Sequence, residues 1–189
     1  MALSRIISVM STTTAPLTVD EFFNLPDIEE QRVELLDGEV VDVPGGGPAH
    51  EQVKANLNRL LDRWLDRQGA GLVYNESAYR LDDRIVQVPD LSVLSTERLK
   101  VGIDERFRGA PDVAIEVVSS ETADRLQTKI RLYFKHGSKS VWSIFPGSRL
   151  VQINHPNGHA ETLEQDRILE DPAALPGFSA PVSAIFEGL

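Results

Sequence analysis

The sequence predicts an α/β (α+β) domain, a mixed β-sheet flanked by α-helices. Three observations carry this. Two stretches place apolar residues at helical spacing. Several others are short apolar runs bounded by turn signals. The two kinds follow one another in the order helix, hairpin, helix, three strands, helix, strands. The 189 residues suit one domain with a real core, and a composition 41% hydrophobic and 25% charged excludes wholesale disorder.

Thr18-Val19-Asp20-Glu21 has the capping-box form and predicts a short helix start. Arg32–Leu36 and Glu39–Val43 flank Asp37-Gly38, which favours a type I′ hairpin turn. Pro44-Gly45-Gly46-Gly47-Pro48 predicts a loop. Val53, Leu57, Leu60, Leu61, Trp64 and Leu65 form one apolar helical stripe, and Gly69 ends that helix. Strands are expected over 72–81, over 85–94 after an Asp82-Asp83 turn, and over 112–118. A second amphipathic helix is expected over 121–136, stopped by Gly137. Val141–Phe145 and the arms of a Pro156-Asn157-Gly158 hairpin, 150–154 and 159–163, complete the strands. Residues 1–16 are expected to be a flexible N-terminal tail and 17–189 a single domain. The greasy stretch Ile6–Met10 is too short for a secretory core, and no apolar run approaches the ~20 residues of a membrane span. The cytoplasm is therefore the default compartment and no membrane partner is expected.

There are no cysteines, which excludes disulfides, thiolate metal sites and cysteine nucleophiles. The net charge of −10 excludes a globally basic nucleic-acid coat, but the charge is unevenly spread. Residues 1–50 carry net −7, 51–100 net 0, 101–150 net +2 and 151–189 net −5. A phosphate-bearing partner would meet the middle of the chain, although solvated helix faces explain the same pattern. There is no P-loop, no G-x-S-x-G elbow and no dinucleotide fingerprint, so no nucleotide cofactor is expected.

Asp90, in Val88–Leu94, and Glu116, in Val113–Val118, are acids set in apolar strands. A dehydrated carboxylate needs compensation, by an ion pair or by a cation. Two carboxylates on neighbouring strands could share one hard cation such as Mg²⁺. Either residue alone is better explained by pairing with an arginine, since structural ion pairs are the commoner case. Lys129 lies on or beside the inward stripe Leu126, Ile130, Tyr133 and Phe134, so it either snorkels outward or meets a buried anion. Arg125, Arg131, Lys135 and Lys139 fall elsewhere and read as solvated. Glu34, in Val33–Leu36, is a third candidate acid, and Glu39 across the turn is its more exposed rival. His50 opens the long helix, where a histidine commonly neighbours the cap. His136, His155 and His159 fall at turns without metal-ligand spacing.

In chain order, VELLDGEVV (33–41), PAHEQV (48–53), VPDLSVL (88–94), GAPDVAIEVVSSET (109–122), the Lys129/Tyr133 pair with Gly137, VWSIFP (141–146) and LPGFSAPVSAIF (175–186) resemble the Uma-type restriction endonucleases of the PD-(D/E)XK nuclease superfamily. The resemblance runs from about residue 18 to the C-terminus. It departs from the superfamily pattern at Val118, where the usual lysine is missing, and it implies that Lys129 on the helix takes that place. It further implies a restriction-endonuclease-like core, a homodimer, DNA as partner, and Mg²⁺-dependent phosphodiester hydrolysis with Mn²⁺ as substitute. Asp90 and Glu116 would ligate the metal with the Val117 carbonyl. Lys129 would orient the attacking water, Glu34 would complete the catalytic set, and His50, Asp124 and Tyr133 would be accessory. The alternative is a catalytically silent nucleic-acid- or protein-binding module on the same fold, which the acidic charge favours.

Overall fold

The computed structural model describes residues 15–26, 28, 32–100, 107–119 and 122–189. Most of the expected tail, residues 1–14, lies outside the described residues, as does Glu121 at the expected start of the second helix. In chain order the elements are α1 (Val19–Phe23), β1 (Val33–Leu36), β2 (Glu39–Asp42), α2 (Pro48–Gln68), β3 (Gly71–Asn75), β4 (Tyr79–Asp82), β5 (Ile85–Gln87), β6 (Leu91–Ser95), α3 (Thr96–Lys100), β7 (Phe107–Arg108), β8 (Val113–Val117), α4 (Ala123–Lys135), β9 (Ser140–Phe145), β10 (Leu150–Asn154), β11 (Ala160–Leu163), β12 (Ile168–Asp171), β13 (Leu175–Pro181) and α5 (Val182–Ile185). The architecture is mixed α+β, as the sequence predicts.

The local signals act as their chemistry dictates. The Thr18 hydroxyl accepts the Glu21 amide while the Glu21 carboxylate accepts the Thr18 amide, closing the capping box of α1. Asp37 and Gly38 both take positive φ in the β1–β2 turn, as a type I′ turn requires. Gly69 caps α2 in the left-handed conformation, and the Thr122 hydroxyl accepts the Arg125 amide at the start of α4. One correction concerns Pro48, expected in the loop. It is the first residue of α2, where a missing N–H is harmless.

A six-stranded sheet in the order β11-β10-β9-β8-β6-β3 forms the centre, with β8 and β9 parallel and every other pair antiparallel. Alternation along its strands sends side chains to two faces. Val113, Ile115, Val117, Trp142 and Ile144 pack against the α2 stripe of Val53, Leu57, Leu61, Trp64 and Leu65. Burying each such leucine contributes about 1.5–3 kcal/mol. The β12–β13 ribbon and α5 close this core, and buried Asp171 accepts the Trp142 indole N–H at 2.9 Å. On the other face Ala114 and Val141 meet Leu126, Ile130 and Tyr133 of α4. A five-stranded sheet, β2-β1-β5-β4-β7, encloses a third cluster that contains Val19, Phe22, Val33, Leu35 and Val86. Among the described residues no helix is long and apolar enough to cross a membrane.

The second correction sets up the site. The expected strands over 72–81 and 85–94 are each two strands. The chain leaves β3 for β4, and β5 for β6, crossing between the two sheets both times. Glu76 adopts positive φ at the first crossing, and Pro89, which has no N–H to give a ladder, lies in the second. The Glu76 amide bonds the Asp90 carbonyl at 3.2 Å and braces the two crossings together. Asp90 therefore lies at a bend before β6, not inside a strand.

Candidate active site

The bend frees the Asp90 side chain to act where pairing ends. β6 and β8 pair from Val93↔Val113 to Leu91↔Ile115. Beyond that point the Val117 amide donates to Asp90 Oδ2 at 2.7 Å, so a side chain replaces the missing strand. Glu116 shares its face of β8 with Ala114 and thus meets α4, where Lys129 and Tyr133 stand one turn apart. Tyr133 Oη donates to Glu116 Oε1 at 2.7 Å, and Lys129 Nζ donates to Glu116 Oε2 at 3.1 Å. Lys129 Nζ also lies 3.1 Å from Glu34 Oε1, which accepts the Val88 amide at 3.0 Å. Lys129 is 4% exposed, so it faces inward to two anions and does not snorkel.

His50, on the first turn of α2, brings Nε2 to 3.1 Å from Asp90 Oδ1 and Nδ1 to 3.1 Å from Glu51 Oε1. The network continues outward through Lys54, Glu76 and Arg32. The glycine loop holds the histidine in place. A Cβ on Gly46 would stand 2.2 Å from His50 Nδ1, so only glycine lets the backbone pass over the ring.

These contacts separate the two acids electrostatically. Burial pushes the Glu116 carboxyl up, opposed by the Lys129 ammonium and reinforced by the charges of Asp90 and Glu34, to about 8. Burial also pushes Asp90 up, but its bond and charge contact with His50, the Val117 amide and Lys129 hold it below its ordinary value. The bond to Asp90 outweighs burial at His50 and raises its pKa. Burial thus makes negative charge on Glu116 costly, and a bound cation would offset that cost. The nearby donors are hard oxygens, which suit a hard divalent ion, and Asp90 and Glu116 are the residues that could hold one. Among the described residues no three His, Asp or Glu side chains form a ready-made metal cluster. A cation there would need backbone or water oxygens as well.

Glu34, His50, Asp90, Glu116, Lys129 and Tyr133 are thus connected at one end of the sheet. Glu39 is exposed, as expected. Asp124 is exposed and stands at the rim of a cleft of about 200 Å³ beside Lys129. Arg125 corrects an expectation, because it is not merely solvated. Its Nη2 lies 3.4 Å from Glu34 Oε2 and its Nη1 donates to the Asp42 carbonyl at 2.8 Å. Gln87, which the sequence reading passed over, is buried and lines the same cleft. Its signal was available, since it is polar within an apolar run, as Glu116 is.

The comparisons with known proteins agree with this architecture. A crystal structure described as a "putative nuclease belonging to DUF820", from Anabaena variabilis, superposes with a TM-score of 0.81 at 25% identity, covering 90% of this chain and 98% of that one. An electron cryomicroscopy structure of a DrdV–DNA complex gives a TM-score of 0.44 at 17% identity, covering 77% of this chain and 12% of that one, a likeness too slight for inference. No curated protein matches the chain. The Uma2 family profile, described as "Putative restriction endonuclease", matches residues 19–183, and the chain belongs to that family.

Proposed function

We propose that this chain is a divalent-metal-dependent endonuclease that hydrolyses DNA phosphodiester bonds. The observation that carries the reading is the buried Lys129 ammonium between Glu34 and Glu116, with Asp90 tied to the neighbouring Val117 amide. Asp90 and Glu116 would hold Mg²⁺, or Mn²⁺ in its place, with the Val117 carbonyl as a further oxygen. When bound, such an ion lowers the pKa of a coordinated water and neutralises phosphate charge. Lys129 orients the attacking water and stabilises charge developing on the phosphate. Glu34 is the second carboxylate that holds the ammonium, at 3.1 Å. Tyr133 and His50 are positioning residues, each fixing one carboxylate. The superposed relative, itself described as a nuclease, supports the reading at the level of fold and family.

Plasmid nicking by the purified protein, with and without Mg²⁺ or Mn²⁺, tests it. Nicking should require the metal and should vanish in Asp90→Ala and Lys129→Ala variants that keep wild-type circular dichroism. A wild-type protein inert with both metals on duplex DNA, single-stranded DNA and RNA would establish the silent binding module instead. The net charge of −10 favours that second reading. A homodimer would join two copies of the more basic middle segment into one DNA-facing cleft, and sedimentation with and without DNA tests that pairing.

A further inference from the structure

Gln87 ends β5 and is 2% exposed. Its Nε2 donates to the neighbouring Val86 carbonyl at 3.2 Å, which fixes the amide plane, while its Oε1 is buried without a hydrogen-bond partner among the described residues. A buried carbonyl oxygen left unmatched is destabilising, and native proteins keep few of them.

The surroundings show what would complete it. β1 and β5 pair antiparallel with Leu35 opposite Val86, so the register sets Glu34 opposite Gln87. Leu35 and Val86 point into the third core cluster, and alternation sends Glu34 and Gln87 the other way. Both line the cleft, together with Lys129, Arg125 and Thr128 of α4 and the aliphatic Leu36, Val41 and Leu132. The cleft holds about 200 Å³, whereas a single water takes ~30 Å³. Aliphatic side chains, a buried acceptor and the Lys129 ammonium share this cleft with the carboxylates of Glu34 and Asp124, which describes a place for a flat heterocycle next to a phosphate.

We infer that this cleft is a subsite for the nucleotide beside the scissile phosphate, with Gln87 Oε1 accepting a hydrogen bond from an N–H of its base. The aliphatic side chains take the faces of the ring, as in pockets that bind an unstacked base. With Nε2 engaged by the Val86 carbonyl, the carboxamide offers its oxygen to a donor on the base edge. The inference takes its ligand class from the nuclease reading and rests on it. Gln87 touches substrate here and takes no part in moving the proton or the water.

Three measurements on the full chain test it. The first is the melting temperature of Gln87→Met, which keeps the volume and removes the orphaned oxygen. It should rise by about 2–4 °C without ligand. The second follows the Gln87 side-chain amide by NMR in wild-type protein titrated with the four deoxynucleoside 5′-monophosphates. That resonance should shift with saturation, and Gln87→Met should bind about tenfold more weakly. The third is cleavage kinetics, in which Gln87→Met should raise KM about tenfold and lower kcat less than threefold. Mononucleotides that leave the amide resonance unmoved overturn the inference, and so does a variant that melts lower with kcat and KM both impaired. Cleavage with an unchanged KM in Gln87→Met overturns the subsite and leaves the nuclease standing. Mononucleotide binding that depends on Gln87 in a protein that cleaves nothing supports the subsite and overturns the nuclease.

Discussion

The two ends of β8 carry buried carboxylates, Asp112 just before the strand and Glu116 near its end, and each pairs with a lysine. At the first end Asp112 accepts the Ser95 amide at 2.8 Å and the Lys139 ammonium at 2.9 Å. Burial pushes Asp112 up, but those partners outweigh it and hold the carboxyl below its ordinary value. The Lys139 side chain is 51% exposed and keeps contact with water. At the second end Lys129 is buried and shared between two carboxylates, and Glu116 is pushed up to about 8. Burial of an acid beside a lysine therefore does not mark a reactive site. The difference is that the Lys129 ammonium is buried and divided between Glu34 and Glu116, whereas Asp112 has a lysine that stays in contact with water.

The comparison breaks most sharply at the lysines. Lys129→Met should lower nicking at least about a hundredfold, and should cost about 3–5 kcal/mol of stability by stranding buried charge. Lys139→Met, which removes a half-exposed ammonium and leaves Asp112 its Ser95 amide, should cost about 1 kcal/mol and leave nicking within about twofold. Equal losses of nicking in the two variants would erase the distinction. Metal comes next. Mg²⁺ at a hundred times its Kd should add about 2.7 kcal/mol to the unfolding free energy of the wild type, seen as a higher Tm, and little to that of Asp90→Asn. An equal rise in both proteins would place the ion elsewhere.

A smaller effect is expected at the glycine loop. Gly46→Ala drives a methyl into the His50 ring, so Asp90 should lose its imidazole partner. Metal affinity, followed by titration calorimetry, should fall roughly tenfold with the helix content unchanged. The smallest effect is in pH dependence. The pKa of Glu116 is raised in the fold, so its contribution is present below its unfolded value near 4.5 and is lost as pH rises through about 8. The pKa of His50 is also raised, and its contribution is lost over the upper part of that window, from its unfolded value near 6.5 upward. The pKa of Asp112 is lowered, so its contribution is present above its unfolded value near 3.8 and is lost below it. Metal-free denaturant titrations should therefore show stability falling from pH 5 to pH 8, less steeply in Glu116→Gln. Below pH 4 stability should fall less steeply in Asp112→Asn than in the wild type.

Much of this was legible one segment at a time. The stripe from Val53 to Leu65, the Asp37-Gly38 turn and the Thr18–Glu21 capping box each rest on interactions within a few residues, and each forms where its chemistry requires. Lys129 could be read as inward or snorkelling from its place on the α4 stripe. Its 4% exposure decides for inward. The long strands over 72–81 and 85–94 were misread because alternation is the same on both sides of a sheet crossing. Arg125 and Gln87 were missed for a related reason. Their partners and neighbours, Glu34 above all, are distant along the chain, and a helix position or a strand parity names a face without naming what lies opposite it.

The amino-acid order by itself determined the three main helices, the first hairpin turn, the capping box of α1 and the glycine end of α2, the apolar faces that bury them, and the short roster of acids and bases set among apolar residues. Periodicity and local hydrogen bonding act over one or two turns, which is why these could be read directly. Only the tertiary structure decided that Asp90 sits at a crossing between sheets, that His50 meets it, and that one ammonium serves both Glu34 and Glu116. Those contacts join residues between 13 and 95 positions apart, and their energies depend on burial that exists only after every layer has packed.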